Sequence, residues 1–148
     1  MERAEWPEIE AGGMRLELTR RGDYGIRAML ALGRARGERL SAPVIANSMD
    51  IPIRFLPQVM GDLARAGLVR SRAGRQGGYV LGRAASLIDL LTIIEAVEGD
   101  TRRRTCVLRG GPCQRDGLCA VHEPFAEAQA ALRERLASVS LETLASNG

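Results

Sequence analysis

Lysine is missing from this chain, and all 21 of its cationic side chains are arginine. That bias carries no functional argument by itself, although arginine does suit bidentate phosphate contact. It does leave glycines 74, 77 and 78 without the Gly-Lys-Ser/Thr continuation of a phosphate-binding loop. No apolar run approaches the ~18 residues of a membrane span. The first thirteen residues, MERAEWPEIEAGG, have neither the basic nor the apolar region of a secretory signal. A cytoplasmic protein with no membrane partner is therefore expected. Internal repeats and low-complexity tracts are absent too, and no nucleophile, base or cofactor pocket stands out, so an enzyme is not expected. Cysteine is scarce and odd in number, at three, which rules out a complete set of internal disulfides.

What is present is unevenly placed. The chain has 148 residues, enough for one domain with a real apolar core. Its net charge is only +3, yet residues 1–13 hold four glutamates against one arginine. These residues, ahead of a second methionine at Met14, read as a disordered extension or a misplaced start. Between Arg54 and Arg83 six arginines face the single acid Asp62, giving +5 over thirty residues. Such a local excess is what meets phosphate.

The apolar spacing sorts the chain into elements. Residues from Thr19 to about Arg36 predict a mostly buried helix closed by Gly37. Ser41 is a good N-cap with Pro43 in the following first turn, and Val44, Ile45 and Met49 share one face. Asp50-Ile51-Pro52 breaks that helix. Ile53, Leu56, Val59, Met60, Leu63 and Ala64 then recur at helical steps, ending near Gly67, with Pro57 tolerable in a first turn. Leu68–Ser71 and Gly78–Leu81 are strand-like and flank a basic, glycine-rich tip. A further helix is expected from Ser86 to Glu98. After it, Val121, Phe125, Ala128, Leu132 and Leu136 form a narrow seam suited to a partner helix such as its twin. Leu141 to Ala145 reads as a short terminal helical turn.

Helix, break, helix, basic hairpin is the order of a winged helix-turn-helix. The expected fold is mainly α: residues 14–85 as the winged DNA-binding domain with a small two-stranded wing, and residues 86–148 as a helix, a cysteine loop and a long C-terminal dimerisation helix. Arg54, Phe55 and Gln58 are the exposed candidates at the start of the second helix. Arg and Gln suit guanine and adenine edges, and Phe suits either a thymine methyl or the core. Arg72, Arg75 and Gln76 lie on the wing, whereas Arg65 and Arg70 read as solvated surface charge.

Residues 106–122, CVLRGGPCQRDGLCAVH, hold every cysteine and the sole histidine. Gaps of six, five and two residues separate Cys106, Cys113, Cys119 and His122. Zinc sites usually use close C-x-x-C pairs, which are lacking here. Wide spacing suits a larger inorganic body, and an iron–sulfur cluster held by thiolates is one. Arginines 102, 103, 104, 109 and 115 favour the deprotonated thiols. His122 is the nearest fourth donor.

The chain from Met14 to about Ala145 resembles the Rrf2 family of bacterial winged-helix repressors. The residues that carry the likeness are Met14-Arg15-Leu16, Gly22-Asp23-Tyr24-Gly25-Ile26-Arg27, Phe55-Leu56 with Gln58, and Gly67-Leu68-Val69. The wing from Gly74 to Leu81, the helix from Leu87 to Gly99 and the three-cysteine loop continue it. The resemblance implies a homodimer on a palindromic operator of double-stranded DNA, with the loop beside the dimerisation helix. It also implies a two-iron or four-iron cluster that senses iron–sulfur status, nitric oxide, redox state or iron supply. One branch of the family takes its fourth ligand from a histidine placed like His122; another uses an acidic residue of the first helix, given by the other subunit, and Asp23 matches that place. Two departures stand out: the first cysteine gap is one residue longer than in those branches, and Ala73 stands where relatives often have arginine.

The function expected is an iron–sulfur-dependent transcriptional regulator, most simply a repressor. Its rivals are a thiol- or zinc-switched DNA-binding regulator and, from other classes, a winged-helix protein-interaction module or a small iron–sulfur electron carrier.

Overall fold

A computed structural model of the chain describes residues 17–101 and 120–148. The expected extension at residues 1–13, the cysteines Cys106, Cys113 and Cys119, and arginines 102–104, 109 and 115 lie outside the described residues.

Helix α1 (Arg20–Arg34) starts where the Thr19 hydroxyl accepts the Gly22 amide at 3.3 Å. It ends before Arg36 and Gly37, both at positive φ, which turn the chain back. Helix α2 (Ala42–Met49) begins as expected, with Ser41 Oγ accepting the Val44 amide at 3.4 Å and Pro43 in the first turn. Asp50 then adopts the left-handed conformation, φ 54° and ψ 46°, and stops it. A single turn of 3-10 helix (Ile53–Phe55) leads into α3 (Leu56–Arg65), so Pro57 falls in the first turn, where its missing N–H costs nothing.

The wing follows. Strands β1 (Val69–Arg72) and β2 (Gly78–Leu81) pair antiparallel, with Val69 opposite Leu81 and Arg72 opposite Gly78. Tyr79 also exchanges both backbone hydrogen bonds with Leu40, at 2.8 and 3.0 Å, which ties the wing to the segment before α2. That close approach needs a glycine at 78: its φ is 140°, and a Cβ there would lie 2.5 Å from the Leu40 carbonyl oxygen. The three helices and the two-stranded wing make a winged helix-turn-helix.

Beyond the wing one expectation is corrected. The run from Ser86 to Glu98 does not form one helix. Ala85–Leu87 make a 3-10 turn, Ile88 is extended, and α4 (Leu90–Glu98) starts only after Asp89, whose carboxylate accepts the Thr92 amide at 2.8 Å. The cause is tertiary. The Leu90 amide donates to the Val139 carbonyl at 2.9 Å and the Leu141 amide to the Ile88 carbonyl at 2.7 Å. The backbone at 88–90 is therefore taken by a segment some fifty residues downstream, between α5 (His122–Ala137) and α6 (Leu141–Ser146).

A continuous buried cluster joins these parts. Met29 and Leu32 of α1, Ile45 of α2, and Leu56, Met60 and Leu63 of α3 pack with Leu68, Ile88, Ile93 and Leu141. Each such side chain contributes about 1.5–3 kcal/mol by leaving water. Helix α1 is central because its glycines admit close neighbours. A Cβ at Gly25 would sit 3.1 Å from both Val97 methyl carbons of α4, and one at Gly33 would sit 3.2 Å from Leu141 and Ala145 of α6. Asp62 is the buried charged residue of the described core, and it pairs with Arg21 of α1 and Arg65 of its own helix.

Candidate nucleic-acid interface and sensor segment

The entry to α3 is held by a row of cations and rings. The Phe55 ring stacks on Tyr24 of α1, centroids 5.7 Å apart and planes 26° apart. The Arg54 guanidinium lies 4.7 Å over Phe55, and Arg27 lies 6.0 Å from Tyr24. Phe55 is half-buried and lies outside the core cluster. Arg54 and Gln58 are exposed, as is Pro57 between them. Arg54 is therefore both solvent-facing and rested on an aromatic platform, which limits the side-chain freedom it would lose on binding.

Ile53 departs from the periodicity that groups it with Leu56, Val59 and Met60. It is 53% exposed, while those three are buried. The reason is its place in the 3-10 turn, where three residues complete a revolution and carry it off the stripe of the following α-helix. Val44 of α2 is likewise exposed.

Arg27 organises the turn between α2 and α3 from α1. Its Nε and Nη2 donate to the two carboxylate oxygens of Asp23 at 2.9 and 2.6 Å, and Nη1 donates to the Met49 carbonyl at 3.2 Å. Spacing alone does not reveal this link, since Arg27 and Met49 are 22 residues apart. On the wing, Arg72, Arg75 and Gln76 are all exposed. The tip is closed by the Gly77 amide donating to the Gly74 carbonyl at 3.0 Å, and the Gln76 carbonyl accepts from Arg39 at 3.5 Å. Arg70 is exposed as expected; Arg65 is exposed and bonded to Asp62.

The ends of the cysteine segment are described although its interior is not. At one end Thr101 is fixed: its hydroxyl donates to Glu95 Oε1 at 2.8 Å, and its carbonyl accepts from Gln129 of α5 at 3.3 Å. Arg133 of α5 donates to the same Glu95 oxygen at 2.5 Å and also to the Thr101 hydroxyl. Burial works to raise the Glu95 pKa, but the hydrogen bonds from Arg133 and from Thr101, with the Arg133 charge, outweigh it and leave it lowered. Charged Glu95 thus clasps α4, Thr101 and α5 together. At the other end His122 is the first residue of α5, exposed, and its imidazole makes no hydrogen bond to another described residue. Gln129 sits seven residues along the same helix, about 10 Å from His122 by the helical rise. Both ends of the segment are therefore anchored to one helix. Among the described residues, no group of three His, Cys, Asp or Glu side chains converges as a metal site.

Helix α5 has no buried residue, and its expected seam is open: Phe125 is 40% and Leu132 41% exposed. No described helix is long and apolar enough to cross a membrane.

Known proteins are similar to this chain in architecture and in sequence. A family model described as Rrf2, iron-dependent transcriptional regulator, matches residues 18–147. The transcriptional regulator IscR of Xenorhabdus nematophila is 34% identical over 134 residues, covering 89% of this chain and 80% of that one. Among solved structures, CymR, the global cysteine regulator of B. subtilis, aligns with a TM-score of 0.76 at 32% identity, over 90% of this chain and 99% of its own. IscR of T. potens aligns with a TM-score of 0.74 at 28% identity, over 92% and 90% of the two chains. These relatives are named as regulators and not as enzymes. The chain belongs to the Rrf2 family of transcriptional regulators.

Proposed function

We propose that this regulator is a homodimer that binds a palindromic operator and takes its signal through an iron–sulfur cluster held by Cys106, Cys113 and Cys119, with His122 as fourth ligand. The observation that carries the reading is the anchoring of both ends of the cysteine segment to α5, by Thr101 at one end and His122 at the other. The donor set fits: three thiolates and one imidazole suit iron and sulfide, and His122 is not committed to another described side chain. Asp23, the alternative donor from the other subunit, is already engaged with Arg27. The bound group would supply a centre reactive toward redox change, nitric oxide or iron supply.

The residues of the chain supply the rest. Arg54 and Gln58 read base edges, Phe55 supports Arg54 from beneath, and Arg72, Arg75 and Gln76 hold the backbone or minor groove from the wing. The open seam of Phe125 and Leu132 pairs with its twin across the dimer axis. Dimerisation sets the two recognition helices on half-sites about 34 Å apart. Glu95, Thr101 and Arg133 link the sensor segment to α4, and Gly25 lets α4 bear directly on α1, which grips the helix-turn-helix through Arg27. The cytoplasm is where such a protein would meet its operator.

Protein purified without oxygen should be brown and contain iron and sulfide. Wild-type spectra from Cys113→Ala, or colourless wild-type protein, would reject the cluster. A second reading is favoured by the likeness to the cysteine regulator CymR: the same three cysteines would act as a metal-free thiol switch. Iron and sulfide analysis separates the two.

A further inference from the structure

Ile53 is a large apolar side chain that the fold leaves 53% exposed at the first position of the turn entering α3. Arg54 and Gln58, close to it in sequence at the start of the same helix, are exposed and polar, and the thirty residues that follow Ile53 carry a net +5. Exposing an isoleucine beside groups poised for phosphate and base edges brings no folding benefit. Of the other apolar side chains at this end of the helix, Leu56 is buried, Phe55 is half-buried with its ring stacked on Tyr24 and covered by Arg54, and the Pro57 ring is exposed. The surface thus presents two hydrogen-bonding side chains beside open aliphatic groups, of which Ile53 is the larger and the more flexible. A major groove offers one apolar feature for such a patch, the 5-methyl group of thymine.

We infer that Ile53 is a specificity-determining residue which packs against a thymine methyl in each half-site, beside the base contacts of Arg54 and Gln58. The inference rests on the DNA-binding reading above. Contact with one methyl removes about one CH2 equivalent of surface from water, worth roughly a fourfold change in affinity. Uracil keeps the hydrogen-bonding edge of thymine and lacks only the methyl group, so it isolates this contact.

The full-length chain is used to select duplexes from a random-sequence library, and each thymine of the selected site is then replaced singly by uracil. Wild type should bind about three- to fivefold more weakly at one thymine per half-site. Ile53→Ala should bind the thymine and uracil duplexes equally at that position while keeping its wild-type melting temperature, because the side chain lies outside the core. Ile53→Val should keep part of the discrimination. If no thymine is sensitive to uracil, or if Ile53→Ala keeps the wild-type ratio, the contact is overturned while sequence-selective binding stands. If the library yields no enriched sequence and binding does not weaken with salt, the DNA-binding reading itself fails and the contact falls with it.

Discussion

Asp23 and Arg27 form a two-point ion pair one turn apart on α1, with both carboxylate oxygens occupied at 2.9 and 2.6 Å. The same guanidinium reaches the carbonyl of Met49, so the pair holds the last turn of α2 against α1. An acid in this position is a possible cluster ligand by family resemblance, yet recruiting it would release Arg27 from its orienting partner. His122 carries no such commitment among the described residues.

The proposed ligation by His122 predicts a contrast between two variants. His122→Ala should change the visible spectrum of anaerobically purified protein and shorten the lifetime of its colour in air. Asp23→Asn should leave the spectrum intact and lower the unfolding free energy slightly through loss of the Arg27 pair, by about 0.5–1 kcal/mol. The reverse pattern would give the ligand role to Asp23.

Glu95 and Arg133 should make the attachment of α5 sensitive to acid. The folded-state pKa of Glu95 lies below its ordinary value, so its contribution to stability is complete above the ordinary glutamate range. That contribution disappears as pH falls through the lowered value. Arg133→Ala should cost about 1 kcal/mol in urea unfolding at pH 7, and the gap from wild type should shrink in acid. Glu95→Gln should show the same flattened pH dependence.

At Gly25 a side chain would meet Val97. Alanine gains about 1 kcal/mol of helix propensity and loses a similar amount to crowding, so Gly25→Ala should lie within about 1 kcal/mol of wild type. Gly25→Val should destabilise by about 2 kcal/mol or more. Combining it with Val97→Ala should restore part of the loss, and a double-mutant cycle would register that coupling.

Backbone and base contacts should separate by salt and by sequence. Arg75→Ala should weaken binding to every duplex alike and reduce the slope of log affinity against log salt by about 1. Arg54→Ala should instead lose about 1–3 kcal/mol of discrimination between the selected site and single-base variants. Electrophoretic or anisotropy titrations at several salt concentrations distinguish the two patterns.

The sequence by itself determined the parts whose signals are local. Ser41 and Pro43 start α2, Asp50 stops it, Pro57 is confined to a first turn, and glycines frame a basic hairpin; each effect acts through groups within about four residues along the chain. The clustering of three cysteines with the sole histidine is equally plain on the page, because it is a matter of composition. Tertiary structure decided what depends on groups far apart in sequence. The start of α4 is moved to Leu90 by backbone hydrogen bonds from Val139 and Leu141, and Phe55 is drawn into packing by Tyr24 of α1. Ile53 is turned to solvent by a 3-10 turn that apolar periodicity reads as α-helix. Arg27 and Arg133 find their partners across 22 and 38 residues. Caps and turns satisfy backbone groups beside them, whereas these pairings arise only once packing has brought separate helices within hydrogen-bonding reach.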